Sequence, residues 1–165
     1  MKQVLIVCLL LISSFCFSQA NKLQKNLIPT KVDSIQFSIW HIQTKETSNP
    51  GTKVKEYKKE LGYTVLDKKD QHTFIKKLQS PESYNSSRAL LHHYNLVFLI
   101  YHNGKIVGKV HISSITGNID VENVQNQNNY KSSVSKQMGK YLIGLLKKYK
   151  LLKLVDEVNL KGLST

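Results

Sequence analysis

The side chains best suited to hold a metal ion or to move a proton near neutral pH are the six histidines of the chain. No two of them stand at the HExxH or HxH spacing that brings two imidazoles to one ion. The adjacent pair at 92 and 93 points in different directions in any regular structure. We therefore expect neither a metal site nor a cofactor. The six residues are His41, His72, His92, His93, His102 and His111.

Paired carboxylates could supply the general acid and the general base of glycoside hydrolysis. Asp67 and Asp70 stand near the start of an expected helix, where acidic residues are common because they interact favourably with the helix dipole. Asp120 and Glu122 are spaced to share one face of a strand. The sequence identifies no catalytic partner for either pair.

Covalent catalysis lacks its usual signatures in this chain. No serine stands in a GxSxG motif, and no GxxxxGK phosphate loop is present. We therefore expect a protein without catalytic activity. The alternative is a secreted or periplasmic hydrolase or nuclease, whose Asp or Glu, His and Lys side chains would meet in one cleft only after folding.

Lysine dominates the charge of the chain. Of 165 residues, 24 are Lys or Arg and 11 are Asp or Glu, which gives a formal net charge of +13. This excess favours an anionic partner, although a solvated lysine surface produced by compositional drift would have the same composition. Arg88 is the sole arginine, and no helix-turn-helix, zinc-finger or RNP motif is present. We therefore expect no specific DNA recognition.

The expected partner is an unidentified protein or an anionic polymer, bound through a lysine-rich surface. An inhibitor or immunity protein acting on an acidic toxin would fit this size and charge. The candidate contacts are lysines of the long C-terminal helix, two lysines of the central hairpin and the single arginine. These anion-binding candidates are Lys136, Lys140, Lys147, Lys148, Lys105, Lys109 and Arg88.

The first twenty residues have the pattern of a secretory signal peptide. Lys2 supplies the positive charge, Val4–Ile12 form an apolar run, and small residues follow. The run is too short for a comfortable transmembrane helix, and no later stretch is long and apolar enough to span a bilayer. We expect cleavage after Ser18 or Ala20 and export to the periplasm or the medium.

A lipoprotein acylated at Cys16 is the alternative, but Phe15 is bulky where the residue before a lipidated cysteine is usually small. Cleavage would remove Cys8 and Cys16, the only two cysteines, so we expect a mature chain without disulfides. The ending Phe17-Ser18-Gln19 resembles the signal peptides common in Bacteroidota. The general order of elements also resembles small exported proteins of that phylum, and this resemblance implies export but no activity or site.

Periodicity predicts the elements of the first half of the chain. Apolar residues alternate over Ser34–Gln43, which predicts a strand. The spacing of apolar residues over 54–61 predicts a short helix, and Tyr63–Leu66 a short strand. Asp70 is expected to cap a second helix that runs to about Gln79.

The central hairpin has the strongest local signal. Asn103-Gly104 between the apolar runs Asn95–His102 and Lys105–Ile115 predicts a type I′ turn. Direct pairing from this turn would align His102 with Lys105, Ile100 with Val107, Phe98 with Lys109, and Leu96 with His111. The core face of the hairpin would then carry Val97, Leu99, Tyr101, Ile106, Gly108, Val110 and Ile112.

The rest of the chain predicts a third strand at Ile119–Val124, a loop at Gln125–Asn129 and a long helix beginning at Ser132 or Ser133. Apolar residues of that helix recur at three and four residues from Val134 to Leu152. We predict an α+β fold, in which two or three helices pack on one face of a small antiparallel sheet. Residues 1–20 would be the signal peptide, 21–33 a flexible lead-in, and 34–165 one domain, which we expect to be monomeric.

Overall fold

Seven antiparallel strands form one sheet in the computed structural model, which describes residues 29, 31–45, 55–90, 93–155 and 160–164. Their order across the sheet is β2-β1-β4-β5-β6-β7-β3. The predicted signal peptide, its cleavage site and Cys16 lie outside the described residues. The strands are β1 Ser34–Lys45, β2 Lys55–Val65, β3 Tyr84–Asn85, β4 Leu96–His102, β5 Lys105–Ile112, β6 Asn118–Asn123 and β7 Asn128–Val134.

In the described residues, three helices accompany the sheet and confirm the predicted α+β class: α1 Lys68–Leu78, α2 Lys136–Lys148 and α3 Lys161–Ser164. The Ser135 hydroxyl caps α2 by accepting the backbone N–H of Met138 at 3.3 Å. Single 3₁₀ turns span Pro81–Ser83 and Leu152–Leu154. In the described part of the chain, no helix is both long enough and apolar enough to cross a membrane.

Three stacked phenylalanines join the sheet to the helices at the centre of the core. The ring of Phe98 on β4 lies 4.1 Å from that of Phe37 on β1 and 4.3 Å from that of Phe74 on α1, measured between centroids. All three side chains are fully buried. The face of the sheet toward the helices is therefore the core face, and we call the opposite face the outer face.

The prediction of a short helix over 54–61 is wrong, because residues 55–65 form the edge strand β2. This strand pairs with β1 from Val65 opposite Gln36 to Lys55 opposite Lys45. An isolated helix of this length is marginal in water, whereas pairing with β1 satisfies backbone groups of both strands over Gln36–Lys45. A bulge leaves Leu61 without a partner in β1. This extra residue interrupts the alternation of apolar and polar residues that would have indicated a strand.

The type I′ turn of the central hairpin is confirmed, since Asn103 and Gly104 have φ values of 50° and 71°. The pairing of His102 with Lys105 is also confirmed. Farther from the turn the predicted register is wrong, because a bulge at Val107 shifts β5 by one residue, and Ile100 pairs with Gly108.

This one-residue shift also reverses the predicted faces of β4. Leu96, Phe98 and Ile100 point to the core, while Val97 and Leu99 lie half-buried on the outer face. Val110 and Ile112 of β5 do face the core, as predicted.

Two further boundaries differ from the prediction. Residues 128–134, partly predicted as a loop and partly as helix, form β7, whose backbone pairs with β6 and with the two-residue β3. A strand with so polar a sequence gives no apolar alternation to detect. Helix α1 begins earlier than predicted, because the carboxylate of Asp67 accepts the backbone N–H of Asp70 at 2.8 Å and makes Asp67 the cap.

Gly104→Val should lower the free energy of unfolding by more than about 1 kcal/mol, because a β-branched residue resists the positive φ of the turn. Gly104→Asn should cost less, since asparagine tolerates that conformation. Urea titrations of the two variants would measure the difference. Equal stability of Gly104→Val and the parent protein would contradict the turn.

Candidate functional site

Helices α1 and α2 lie side by side and present most of their lysines to solvent. The Tyr141 hydroxyl of α2 donates to the Asp70 carbonyl of α1 at 3.3 Å, and Lys77 Nζ lies 5.2 Å from the centre of the Tyr141 ring. We call the solvent-facing residues of 67–79 and 135–150 the helical surface. It has two aspartates, Asp67 and Asp70, and nine lysines: Lys68, Lys69, Lys76, Lys77, Lys136, Lys140, Lys147, Lys148 and Lys150.

Three of the predicted anion contacts form one exposed stripe along α2. At 100° per residue, Lys136, Lys140 and Lys147 fall within about 40° of one another and span roughly 16 Å of the axis. Helix α2 contains no Asp or Glu, and none of the three lysines makes an ion pair with a described residue. All three lysines are exposed, and Gly144 beside them is exposed too, with no described neighbour within 4 Å of a Cβ position.

Lys148, a further predicted ligand contact, does not join this stripe. Its Nζ lies 2.6 Å from Asp67 Oδ2 and 2.7 Å from Asp70 Oδ2. Hydrogen bonds to Asp67 and then to Asp70 raise the pKa of Lys148. The ammonium group therefore ties the end of α2 to the start of α1.

The same cluster gives the predicted carboxylate pair Asp67 and Asp70 a structural role. The two carboxylates meet on Lys148, and the Tyr149 hydroxyl donates to Asp70 Oδ2 at 2.7 Å. The Lys148 ammonium, followed by the backbone N–H of Asp70, lowers the pKa of Asp67. Because an ammonium and a phenol already occupy the two carboxylates, the pair favours helix docking over acid–base catalysis.

The three remaining predicted contacts lie away from the helical surface. Lys109 is on the outer face, with its Nζ 3.7 Å from Glu122 Oε2. Arg88 donates from Nη2 to the Tyr94 hydroxyl at 2.8 Å. Lys105 follows the turn at the end of the β4–β5 hairpin. The lysines of α1 are not among the predicted contacts. Their two Lys-Lys pairs are visible in the sequence, but their approach to α2 is not.

His102 belongs to a clamp on the hairpin turn. Its Nδ1 lies 3.1 Å from Asp33 Oδ1, and Asp33 Oδ2 accepts the backbone N–H of Asn103 at 2.5 Å. That backbone N–H, and next the His102 side chain, lowers the pKa of Asp33. The carboxylate therefore stabilises the turn from the segment that enters β1.

A second histidine, on the outer face of the sheet, lies near carboxylates. His111 on β5 is directly opposite Asp120 on β6, and Lys109 is opposite Glu122. The Lys131 ammonium lies 3.7 Å from Asp120 Oδ2. Each carboxylate thus has a lysine beside it. Among the described residues, no three His, Cys, Asp or Glu side chains are close enough together to hold a metal ion.

His111 should make stability depend on pH. Burial lowers its pKa from the ordinary 6.5, and Asp120 opposes this only in part. When the pH falls below about 6.5, the His111 side chain takes up a proton more readily in the unfolded chain than in the folded one. The folded state is therefore more stable above this pH and loses stability on acidification. Unfolding titrations between about pH 7 and about pH 5 should show a smaller loss for His111→Gln than for the parent protein. An identical loss in both would contradict the burial of His111.

The helical surface and the outer face differ in what they can bind. The helical surface has an uncompensated positive charge, whereas Lys58, Lys109 and Lys131 on the outer face are balanced by Glu60, Asp120 and Glu122. Comparison with protein-family models, curated protein sequences and solved structures finds no match to this chain. The chain's own geometry and charge therefore carry the functional argument.

Proposed function

We propose that this protein is a small exported interaction protein, without catalytic activity, that binds an anionic polymer through the helical surface. The observation that carries the proposal is the segregation of charge. The helical surface has nine lysines and only two aspartates, and both aspartates form ion pairs with Lys148. Export to the periplasm or the medium belongs to the proposal and is supported by the signal pattern of residues 1–20.

A polymer with repeated negative charges suits this surface better than a single small anion. The lysines are point charges spread along two helices, and such charges bind polyanions by releasing counterions, without bidentate geometry. The helical surface has no arginine, so reading of a defined base or phosphate arrangement is not expected. An acidic protein, as an inhibitor or immunity partner would bind, is the competing ligand.

A hydrolase or nuclease remains the alternative function. Its best-placed residues would be His111 and Asp120, because Asp67 and Asp70 meet on Lys148 without a histidine, and Asp33 beside His102 holds the hairpin turn. Hydrolysis of a nucleic acid or a glycan by the purified protein, with loss of that activity in His111→Ala, would favour the enzyme over the binding protein.

Heparin chromatography with two charge-matched triple variants tests the proposed function. Replacing Lys136, Lys140 and Lys147 by glutamine should clearly lower the NaCl concentration needed for elution. Replacing Lys105, Lys109 and Lys131 removes the same charge from the sheet and should change elution much less. Circular dichroism would check that both variants fold.

Equal effects of the two triple variants would mean diffuse attraction and would contradict a defined surface. Tighter binding to poly-L-glutamate than to heparin at the same salt concentration would favour the acidic protein partner over the anionic polymer.

A further inference from the structure

The outer face of the sheet carries apolar side chains on four neighbouring strands, β2, β1, β4 and β5. An antiparallel sheet face that is exposed to water usually carries polar residues instead. Opposite residues of an antiparallel pair share a face, so the observed pairing brings the apolar side chains of these strands together. We call them the apolar patch, which consists of Tyr63, Val65, Val97, Leu99, Tyr101 and Ile106.

The apolar patch is open to solvent at its β2 side. Tyr63 is 61% exposed and Val65 is 54% exposed, and both belong to the edge strand of the sheet. Ile106 is also exposed on β5. Tyrosine and aliphatic side chains grouped in this way mark a surface that another molecule covers.

The two polar residues that cross the apolar patch on β1 are already paired with each other. Gln36 and Ser38 separate its β2 part from its β4 part. The Gln36 Nε2 amide donates to Ser38 Oγ at 3.1 Å, and Ser38 is only 1% exposed. A polar group that keeps its hydrogen bond costs less free energy to remove from water. Covering the apolar patch therefore does not require this hydrogen bond to break.

Charge favours a second copy of this chain as the molecule that covers the apolar patch. The formal net charge of +13 makes two copies repel each other, and the repulsion is smallest where charges are balanced. Beside the apolar patch, Lys109 Nζ lies 3.7 Å from Glu122 Oε2, and Lys131 Nζ lies 3.7 Å from Asp120 Oδ2. An acidic partner, in contrast, would be drawn to the helical surface on the other side of the sheet.

The area of the apolar patch fits a weak dimer. Four strands about 4.8 Å apart and about six residues long, at about 3.4 Å per residue, cover roughly 400 Å². Two such surfaces give roughly 800 Å², and weak complexes bury less than about 1,200 Å² in total. Tyrosines within the contact and charged pairs at its border are also the usual arrangement of an interface.

We propose that two copies of this chain associate weakly through the apolar patch, with a dissociation constant on the order of tens of micromolar. A two-fold axis makes such an interface self-complementary, because the same side chains meet from both copies. The two sheets then stack about 10 Å apart, with the helices outside. The monomer expected from the sequence is the competing outcome.

The dimer has a consequence for the helical surface. With the outer faces together, the two helical surfaces point in opposite directions, so one dimer holds two polymer chains at once. This consequence rests on the proposed function, whereas the dimer itself does not, because the apolar patch lies on the other side of the sheet.

Sedimentation velocity of the purified protein between about 1 and about 300 µM tests the association. We expect a monomer at the lowest concentration and mostly dimer at the highest. Raising NaCl from about 50 to about 500 mM should strengthen the dimer, because salt screens the repulsion between two positive copies. A polyanion that bridged two copies through their helical surfaces would instead be released by the same salt.

Two substitutions with the same change of charge locate the interface. Tyr63→Glu should raise the dissociation constant at least about tenfold, because a symmetric dimer would bury one unpaired carboxylate from each copy. Leu90→Glu should leave it nearly unchanged, since Leu90 is 95% exposed and lies outside the apolar patch, next to Ala89, whose backbone is bonded to Asn118 of β6. If Tyr63→Glu does not fold by circular dichroism, Val65→Glu takes its place with the same expected result.

Three results would overturn the proposal: a monomer at every concentration, a dimer that weakens as salt is raised, or a folded Tyr63→Glu protein that dimerises as the parent does. An equal loss in Leu90→Glu would mean general stickiness and would also contradict the interface. The triple variant of Lys136, Lys140 and Lys147 should dimerise at least as well as the parent, because it removes positive charge from the far side of the sheet. Loss of polymer binding in that variant therefore leaves the test of the dimer unaffected.

Discussion

Phe98→Ala is expected to lower the free energy of unfolding by about 3–5 kcal/mol, the range for removing a large side chain from a packed core. The Phe98 ring is fully buried and stacks on Phe37 and Phe74, so it joins two strands and a helix at one point. The cavity would lie where these elements meet, and none of them can close it by a local movement. Urea unfolding followed by circular dichroism measures the loss.

Val65→Ala provides the control, because that side chain lies 54% exposed on the outer face. It should change the free energy of unfolding by less than about 0.5 kcal/mol. A similar small change for Phe98→Ala would mean that the outer face, and not the face toward the helices, forms the core.

Two glycines of helix α2 should respond to alanine in opposite directions. A Cβ at Gly139 would stand 2.0 Å from the Leu163 carbonyl oxygen and 2.8 Å from its carbon, so α3 must move away. Displacing α3 exposes Leu163, which is 1% exposed, and full burial of a leucine contributes about 1.5–3 kcal/mol. We expect Gly139→Ala to destabilise the protein and to leave residues 160–164 open to proteolysis.

At Gly144 an added Cβ meets nothing within 4 Å. Gly144→Ala should therefore stabilise the protein by about 0.5–1 kcal/mol through helix propensity alone. Thermal unfolding of the two variants measures both changes. If Gly139→Ala is stabilised as much as Gly144→Ala, the contact between α2 and the backbone of α3 is wrong.

Signals that lie within a few residues of sequence predicted their elements correctly. Asn103-Gly104 gave the turn, and the alternation from Ser34 gave β1, because turn chemistry and side-chain period are local properties. The bulges at Leu61 and Val107 have no such signal. Each adds one residue to a strand because of the fit to its neighbour, and each changes which side chains share a face.

The helical surface was predictable only in part for a similar reason. The stripe of Lys136, Lys140 and Lys147 follows from the period of one helix. Lys148 looked equivalent, but its partners Asp67 and Asp70 stand 81 and 78 residues away in the chain. Only tertiary packing brings those carboxylates to it, and the same packing places the lysines of α1 beside α2.

Chemical-shift mapping of the ¹⁵N-labelled protein with a heparin hexasaccharide tests the central claim most directly. We expect the largest amide shifts on α1 and α2, around Lys76, Lys136, Lys140 and Lys147, and we expect them to fade as salt is raised. Shifts confined to the outer face of the sheet, or none at a concentration where the hexasaccharide binds, would contradict polymer binding by the helical surface.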